Sequence, residues 1–333
     1  MRILYTGRLA SLTTTEARLR ALRELGHDVA AVDALPYLWR GPRLLAKAQL
    51  HLLKGPNISA YNRAIRAAAK CERPDVVWVD SGVFVQPATL AAVRADTRAF
   101  VLHYHSDDIE HDRRWYRLYR AGVPHYNLHV TTNELNIPLL YRLGAPKVLR
   151  GEFGYDPRLH RPVDLRKDDR ARYGADLTFI GHWEPTTEGH ILLLRDAGFQ
   201  VHVWGGGWYQ ARDRQLRATT AIYGEEYVRA LAAAKICLCF LSKWNRNQSA
   251  GRTFEIPAIG RFLLGERTAD HLGYYVEGRE AEFFAGRDGL LAKVRFYLDH
   301  ADRREVIATA GHQRCLTSGY THQDRVRQIL EQI

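Results

Sequence analysis

Short apolar runs alternate along the chain with segments in which apolar residues recur at helical spacing. The first repeat predicts a strand, a helix and a second strand over residues 2–6, 15–25 and 28–32. A later repeat predicts the same three elements over residues 177–180, 190–196 and 200–204. Strands that alternate with helices are typical of parallel sheets covered by helices, so the pattern predicts an α/β fold with two βαβ openings.

The remaining apolar runs extend this alternation. Further strands are predicted at residues 75–79, 99–103, 130–132, 147–149, 236–241 and 262–264, and further helices at residues 88–94, 135–143, 227–234, 254–259, 299–309 and 322–333. Residues 153–163 carry two prolines and little periodicity, and residues 167–172 are charged. A linker is expected there, so we predict one domain over residues 1–160 and a second over residues 161–333.

Composition agrees with two folded domains. A chain of 333 residues with 46% apolar and 26% charged residues can bury two cores and is not of the disordered class. The formal charge of +11 favours an anionic partner: a nucleotide diphosphate, an anionic glycan or lipid surface, or nucleic acid. Residues 36–56 are basic and partly amphipathic, which predicts a surface helix packed on its own domain, with peripheral contact with an anionic membrane as the alternative.

The cysteines and the N-terminus indicate an intracellular protein. The four cysteines, Cys71, Cys237, Cys239 and Cys315, form no Cys-x2-Cys pair, so we expect buried free thiols. The first residues contain no signal sequence, and no segment approaches the roughly 20 apolar residues of a membrane span. We therefore expect a cytoplasmic protein.

A candidate anion site follows the strand at residues 236–241. Arg252, Thr253 and Glu255 stand where a polar loop gives way to a short helix that stops at Gly260. The first N–H groups of a helix favour an anion such as a diphosphate, and Arg252 can add a bidentate contact. Glu255 can accept hydrogen bonds from sugar hydroxyls. The alternative is an ordinary helix whose first-turn glutamate complements the helix dipole.

The same region carries a family resemblance. The string RTFEIPAIGRFLLGERTADHLGYYVEGREAEFF resembles the C-terminal signature of CgeB-like (spore-maturation-protein type) glycosyltransferases, in the glycosyl transferases group 1 family. Similar segments are LTFIGHWEP, VHVWGGGW, YVRALAAAKICLCFLSK and KVRFYLDHADRREVIATAGHQR. The resemblance implies the GT-B fold, in which two Rossmann-like domains face each other across a cleft. It also implies an N-terminal acceptor domain, a C-terminal donor domain, and a last helix that packs back toward the N-terminal domain.

The resemblance implies a donor site for a UDP- or GDP-linked sugar, with no cofactor or metal and no nucleic acid. Related enzymes carry a Glu-x7-Glu motif; Glu255 matches the second glutamate, and Asn247 stands at the position of the first, which leaves sugar recognition and stereochemistry open. Gly181 lets the backbone approach the phosphates. Relatives carry an arginine in the next loop, where this chain has Thr186, Thr187 and Glu188, so phosphate neutralisation falls to Lys243, Arg246 and Arg252. Trp208 is either a base-stacking residue at the cleft or a core residue.

The N-terminal domain offers candidates for the acceptor side. Gly7 ends the first strand, at the sheet edge where α/β folds bind ligands. The string HYHSDD places His103, His105, Asp107 and Asp108 after another strand. In a glycosyltransferase, Asp107, His105 and Asp108 are the catalytic candidates and His103 a cleft residue, with an unidentified glycan, lipid-linked, protein or small-molecule acceptor.

Two alternatives remain open, besides a loop that merely caps the next helix. His-x-His-x-Asp-Asp is similar to the metal-binding motif of metallo-β-lactamase-type hydrolases, which predicts a metal-dependent hydrolase. That family has histidine at the position of Asp108, and its fold does not open with βαβ. The other alternative is a non-enzymatic anion- or RNA-binding protein, although no known RNA-binding module is visible.

Overall fold

The computed structural model describes all residues from Met1 to Ile333 and divides into two compact units. Unit 1 consists of Met1–Glu152 and His322–Ile333, and unit 2 consists of Phe153–Thr321. Each unit is built around one parallel sheet. The roles of an acceptor domain over residues 1–160 and a donor domain over residues 161–333 stay predictions.

Unit 1 contains a six-stranded sheet with the strand order β2-β1-β3-β4-β5-β6. Its elements are β1 (Arg2–Gly7), α1 (Thr14–Glu24), β2 (Asp28–Asp33), α2 (Leu35–Leu38), α3 (Arg43–Leu52), α4 (Pro56–Glu72), β3 (Val76–Asp80), α5 (Pro87–Thr97), β4 (Phe100–His105), α6 (Arg117–Gly122), β5 (Leu128–Thr131), α7 (Asn136–Arg142) and β6 (Val148–Arg150).

The sheet of unit 1 is buried on both faces. Side chains of a strand alternate between the two faces, so Ile3 and Tyr5 enter one core while Leu4 enters the other. All five residues of the central strand β3 are buried. This two-sided burial explains why the strands appear in the sequence as continuous apolar runs.

Unit 2 contains a five-stranded sheet with the strand order β11-β10-β9-β7-β8. Its elements are α8 (Lys167–Tyr173), β7 (Ala175–Ile180), α9 (Pro185–Asp196), β8 (Val201–Trp204), α10 (Gly224–Ala233), β9 (Ala234–Cys239), α11 (Arg252–Ala258), β10 (Leu263–Glu266), α12 (Ala269–Tyr274), β11 (Glu282–Phe284), α13 (Gly286–Asp299) and α14 (Ala301–Thr317).

The chain ends with α15 (His322–Leu330), which belongs to unit 1. Val326 and Ile329 of this helix join the core formed by Ile3, Tyr5 and Leu19. Among all the helices, none combines the length and the apolar character needed to cross a bilayer.

One expectation about the cysteines is wrong. All four are free thiols, and Cys237, Cys239 and Cys315 are buried as expected, but Cys71 is exposed. Cys71 lies in the last turn of α4, whose buried stripe runs through Ile58, Ile65 and Ala69 on another face of the helix.

Candidate functional site

The site candidates of unit 2 meet at the carboxyl edge of its sheet. The strands β7, β8, β9 and β10 are parallel and end at Ile180, Trp204, Cys239 and Glu266. The loops that follow them therefore lie at the same edge, which is where open α/β sheets bind ligands. These loops contain the predicted residues from Gly181 to Glu255.

Two glycine turns pack backbone against backbone at this edge. A Cβ on Gly205 would lie 1.9 Å from the carbonyl oxygen of Gly181, and the φ of Gly205 is +143°, so only glycine fits there. The Gly181 N–H donates to the Trp204 carbonyl at 2.8 Å. Gly181 thus follows β7 directly, with its backbone packed against that of Gly205.

Trp208 lies beneath these turns. Only 1% of it is exposed, its ring contacts Phe179 edge to face, and its indole N–H donates to the Gly181 carbonyl at 3.0 Å. Of the two roles the sequence allows, this position matches the core residue. The next residue, Tyr209, is 76% exposed.

Arg252 joins the ends of two strands. Its guanidinium donates to the Ile180 carbonyl at 2.8 Å and to the Phe240 carbonyl at 2.9 Å, and it lies over the Phe179 ring. A Cβ on Gly181 would lie 2.9 Å from the same guanidinium. Arg252 is therefore directly under the glycine turn, where its charge faces any anion held by that turn. The predicted bidentate clamp on a phosphate stays a prediction, since two of the N–H groups already have backbone partners.

Glu184 is a buried carboxylate that the sequence analysis did not select. Only 6% of it is exposed, and it accepts from the Ser242 hydroxyl at 2.5 Å and from the Lys243 N–H at 2.7 Å. It thereby fixes the loop after β9 to the loop after β7. Its position directly after a strand, a glycine turn and Trp183 was the signal available in the sequence.

Lys243 points its side chain at a second carboxylate. The ammonium is exposed and pairs with Glu266, whose other carboxylate oxygen accepts from the Leu241 N–H at 2.8 Å. A surface ion pair of this kind is weak and exchangeable. The Lys243 charge is therefore held at the sheet edge while remaining free to turn toward a ligand.

Glu255 lies one turn inside α11, and one of its carboxylate oxygens already accepts a hydrogen bond. The buried Tyr227 hydroxyl donates to Glu255 Oε2, and burial together with the Glu255 charge raises the pKa of Tyr227 well above its ordinary value. Tyr227 therefore stays a donor. The other oxygen, Oε1, faces Gly251, where an added Cβ would lie 2.7 Å away. The absence of a side chain at Gly251 lets this oxygen pack against the backbone, and the Glu255 side chain as a whole is half-buried.

The other predicted donor residues differ in exposure. Thr253 is fully buried and its hydroxyl contacts His271 Nε2 at 2.9 Å, so it ties α11 to α12. Arg246 is exposed with a positive φ of 50°, and Asn247 is half-buried in the same loop. The structure thus brings Arg246 and Asn247 to the sheet edge and places Thr253 inside the unit.

In unit 1, the corresponding edge centres on a buried ion pair. The Arg18 guanidinium donates to both carboxylate oxygens of Asp80 at 2.7 and 2.9 Å, and the Tyr5 hydroxyl donates to the same carboxylate at 2.6 Å. Gly7 packs against it, because an added Cβ would lie 3.0 Å from the Asp80 carbonyl oxygen. Asp80 ends β3, and neither Asp80 nor Arg18 was selected from the sequence.

The predicted acceptor residues around β4 are mostly buried. His103 is fully buried and stacks on Tyr119 at 3.8 Å between ring centroids, and His105 is 2% exposed. Asp108 is 1% exposed and accepts from the Glu110 N–H at 2.9 Å, which shapes the loop. Asp107 is half-buried and accepts from a tyrosine hydroxyl, so it is the most accessible of the four.

Burial keeps the histidines of this region neutral. It lowers the pKa of His103 well below the ordinary value and lowers that of His105, where the charges of Asp107 and Asp80 offset part of the effect. The pKa of His129 is lowered to about 4 by burial.

No group of three or more His, Cys, Asp or Glu side chains in the chain is placed to hold a metal ion. The His103 and His105 rings lie 5.6 Å apart between centroids, inside a cluster of tyrosines rather than around an open coordination site. The ligand set that a metal-dependent hydrolase needs is therefore not assembled by the His-x-His-x-Asp-Asp string.

Comparison with known proteins finds one family that matches part of the chain. The model of the family described as "Glycosyl transferase-like" matches residues 190–331, which include the loop after β9, α11 and Glu255. Among curated proteins none matches the sequence significantly.

Solved structures match over the whole chain. Sucrose-phosphate synthase (tll1590) from Thermosynechococcus elongatus has a TM-score of 0.70 at 12% identity, covering 99% of this chain and 98% of that one. Anabaena Alr3699/HepE in complex with UDP-glucose has a TM-score of 0.65 at 12% identity, covering 100% and 99%. AviGT4, a glycosyltransferase involved in avilamycin A biosynthesis, has a TM-score of 0.58 at 15% identity, covering 99% and 96%.

These likenesses and the two parallel sheets confirm the predicted GT-B fold. Together with the match of residues 190–331 to the glycosyl transferase-like family model, they also confirm the prediction of a glycosyltransferase.

Proposed function

We propose that unit 2 binds a UDP-sugar at the carboxyl edge of its sheet and that the chain transfers a hexose from it without a metal. The observation that carries this proposal is the placement of Glu255. One of its oxygens accepts from Tyr227, the other packs against Gly251, and the half-buried side chain lies in the segment that matches the family model. UDP is preferred over GDP because HepE was solved with UDP and with UDP-glucose.

The roles of the surrounding groups follow from their geometry. Glu255 Oε1 would accept from the vicinal ribose hydroxyls, because a carboxylate oxygen can take more than one hydrogen bond. The diphosphate would lie against the turn of Gly181 and Gly205, where no side chain blocks the backbone. Positive charge there comes from Arg252 beneath the turn and from Lys243, and it would stabilise the departing diphosphate.

Arg246 and Asn247 are proposed to contact the diphosphate and the sugar, since they extend from the loop that Glu184 anchors. Thr253 has a supporting role, because it is buried against His271.

The string from Arg252 to Phe284 supports a CgeB-like subtype as a further proposal. We also propose that the protein acts in the cytoplasm, with GDP as the alternative donor base.

Unit 1 is proposed to bind the acceptor. Asp107 is the accessible carboxylate at the edge of its sheet and is the candidate base for the acceptor hydroxyl. His105 and Asp108 would position this loop, since both are buried beside it. Gly7 and His103 would shape the same edge, one by its lack of a side chain and the other by packing under the strand ends.

Replacement of Glu255 tests the proposal. Glu255→Gln keeps the size of the side chain but removes its charge, so UDP affinity should fall about tenfold, as for loss of a charged hydrogen bond. The preference for UDP over 2′-deoxy-UDP should shrink at the same time. Titration calorimetry with both nucleotides measures these effects. Glu225→Gln, at an exposed position on α10, is the matched control and should leave both affinities unchanged.

If Glu255→Gln lowers the unfolding temperature and leaves both nucleotide affinities intact, Glu255 only complements the helix dipole and the proposed donor site is wrong. Titration of UDP in the presence of a chelator tests whether binding needs a metal. The chelator should not weaken UDP binding. Stoichiometric zinc or manganese bound through His103, His105 and Asp107 would instead favour the hydrolase.

A further inference from the structure

Unit 1 carries an exposed apolar surface on and beside α3. Leu44, Leu45 and Leu52 are 82%, 61% and 57% exposed, and Trp39 just before the helix is 48% exposed. We call these four residues the α3 face. The buried side chains of the helix, Ala46 and Leu50, lie on its opposite side. Three exposed leucines on one short helix form a surface cluster of apolar side chains. Clusters of this kind mark interaction sites.

Every charged residue in the segment that contains the α3 face is a lysine or an arginine. Residues 34–71 contain no aspartate or glutamate, and they contain seven lysines and arginines: Arg40, Arg43, Lys47, Lys54, Arg63, Arg66 and Lys70. All seven are exposed. A further cation is attached to the helix end, since the Arg117 guanidinium donates to the Leu52 carbonyl at 3.0 Å.

The acids that bound this stretch are Asp33 and Glu72. Asp33 accepts from the Leu9 and Leu35 N–H groups at 3.0 Å each, at the end of β2. Over residues 33–72, which carry the α3 face, seven basic residues therefore stand against two acids.

We propose that the α3 face docks on the surface of an anionic lipid bilayer. Leucines on a short helix enter the boundary between headgroups and acyl chains, a tryptophan lies at headgroup level, and flanking lysines and arginines contact lipid phosphates. Trp39, Leu44 and Lys47 supply these three kinds of contact within one segment. The arrangement describes peripheral attachment, in which the helix lies on the membrane.

Other occupants fit this surface less well. A second copy of the chain would bring two strongly basic surfaces together, and their repulsion would oppose the apolar contact. A nucleic acid would match the charge, but its phosphates and bases gain nothing from Leu44, Leu45 and Leu52. An anionic bilayer offers both an apolar layer and a negative surface.

Vesicle flotation tests the proposal without any nucleotide, so the result is independent of the proposed donor site. The protein should float with vesicles of phosphatidylcholine mixed with phosphatidylglycerol and remain behind with phosphatidylcholine alone. Leu44→Ser combined with Leu45→Ser should lower the partition coefficient by at least about tenfold, because two exposed leucines are removed from the contact. Lys47→Glu should lower it by more than about fivefold, the approximate contribution of one basic residue near the surface.

Matched controls lie in unit 2. Leu316→Ser removes a leucine that is 52% exposed, and Arg295→Glu reverses an exposed charge; neither should change flotation. All variants should keep the unfolding temperature and UDP affinity of the parent, since the altered side chains are in solvent.

Three results would overturn the proposal. The first is a parent protein that does not float with anionic vesicles. The second is a leucine double variant that floats as the parent does. The third is a parent that sediments as a dimer while the double variant is a monomer, since a second copy would then cover the α3 face.

Discussion

Acidification should lower the stability of unit 1, because its buried histidines take up protons only when the unit unfolds. The pKa of His129 sets the size of this loss. The pKa of His129 is about 4 in the folded chain, against 6.5 as the ordinary value. Below pH 6.5 the unfolded chain takes up a proton that the folded chain does not, so stability is lost as the pH falls from 6.5 toward 4. Above pH 7 both states are neutral and the penalty disappears.

The loss from His129 alone is about 2 kcal/mol between pH 7 and pH 5, from the linkage of these two values. It approaches about 3 kcal/mol near pH 4. Burial also lowers the pKa of His103 and His105, so both act in the same direction. This is a large share of the 5 to about 15 kcal/mol that stabilises a typical domain.

Urea unfolding at pH 7 and pH 5 measures the effect when the parent is compared with His129→Gln. In the parent, one ring nitrogen contacts the Tyr119 hydroxyl at 2.9 Å and the other the Val123 carbonyl at 3.0 Å. Glutamine can keep a donor and an acceptor there, so the variant should lose about 1 kcal/mol at pH 7. At pH 5 the parent should have lost about 2 kcal/mol more than the variant.

His111→Gln removes an exposed imidazole and is the control. The parent and His129→Gln would contradict this prediction if both lost the same stability between pH 7 and pH 5. Equal losses would mean that His129 takes up its proton in the folded chain as it does in the unfolded one.

Three further substitutions probe the sheet edge of unit 2. Arg252→Ala should lower stability by about 2 to 4 kcal/mol, because two strand-end carbonyls lose their donor, and should weaken UDP binding by about 1.5 to 3 kcal/mol more than uridine binding; equal calorimetric losses for both ligands would show a purely structural role. Gly205→Ala should cost at least about 2 kcal/mol in urea unfolding, because its Cβ would meet the Gly181 carbonyl; an unchanged midpoint would contradict this contact. Glu184→Gln should weaken UDP binding by freeing the loop that carries Lys243; unchanged calorimetric affinity would show that this anchoring does not matter to the ligand.

Much of the fold was predictable because its strands are buried on both faces. Runs such as residues 75–79 and 236–241 are continuous in apolar residues, and the structure forms β3 and β9 there. The missed elements carry polar residues that gain partners only after folding. In β11, Glu282 is buried because Lys293 and Tyr297 of α13 contact its carboxylate. Neither that strand nor α13 was predicted, since a buried glutamate has no apolar signature.

The site was predictable where one stretch of chain contains it. Arg252 and Glu255 lie in one short segment, so motif and spacing found them. Glu184 escaped because its partners, Ser242 and Lys243, come from a distant loop that the pairing of β7 with β9 brings beside it. Which loops meet at a sheet edge depends on strand order, and strand order is a property of the packed sheet rather than of any local pattern.

Both units have a glycine, at the end of the first strand or directly after it, that packs on a site containing an arginine. In unit 1 the strand ends at Gly7, which packs on Asp80 of the buried pair with Arg18; in unit 2 it ends at Ile180, and the next residue, Gly181, packs on Arg252. The two arginines differ in whether a carboxylate is paired with them. Asp80 neutralises Arg18, and this pairing raises the pKa of Arg18 despite the opposing effect of burial.

Arg252 donates to two backbone carbonyls and lies over an aromatic ring, so its charge is not held in an ion pair as that of Arg18 is. A fixed charge that no acid cancels attracts an anion more strongly than one held in an ion pair. This difference supports the proposal that the diphosphate binds at the edge of unit 2. Pairing of Arg18 with Asp80 at the edge of unit 1 is consistent with the proposed binding of an uncharged acceptor hydroxyl there.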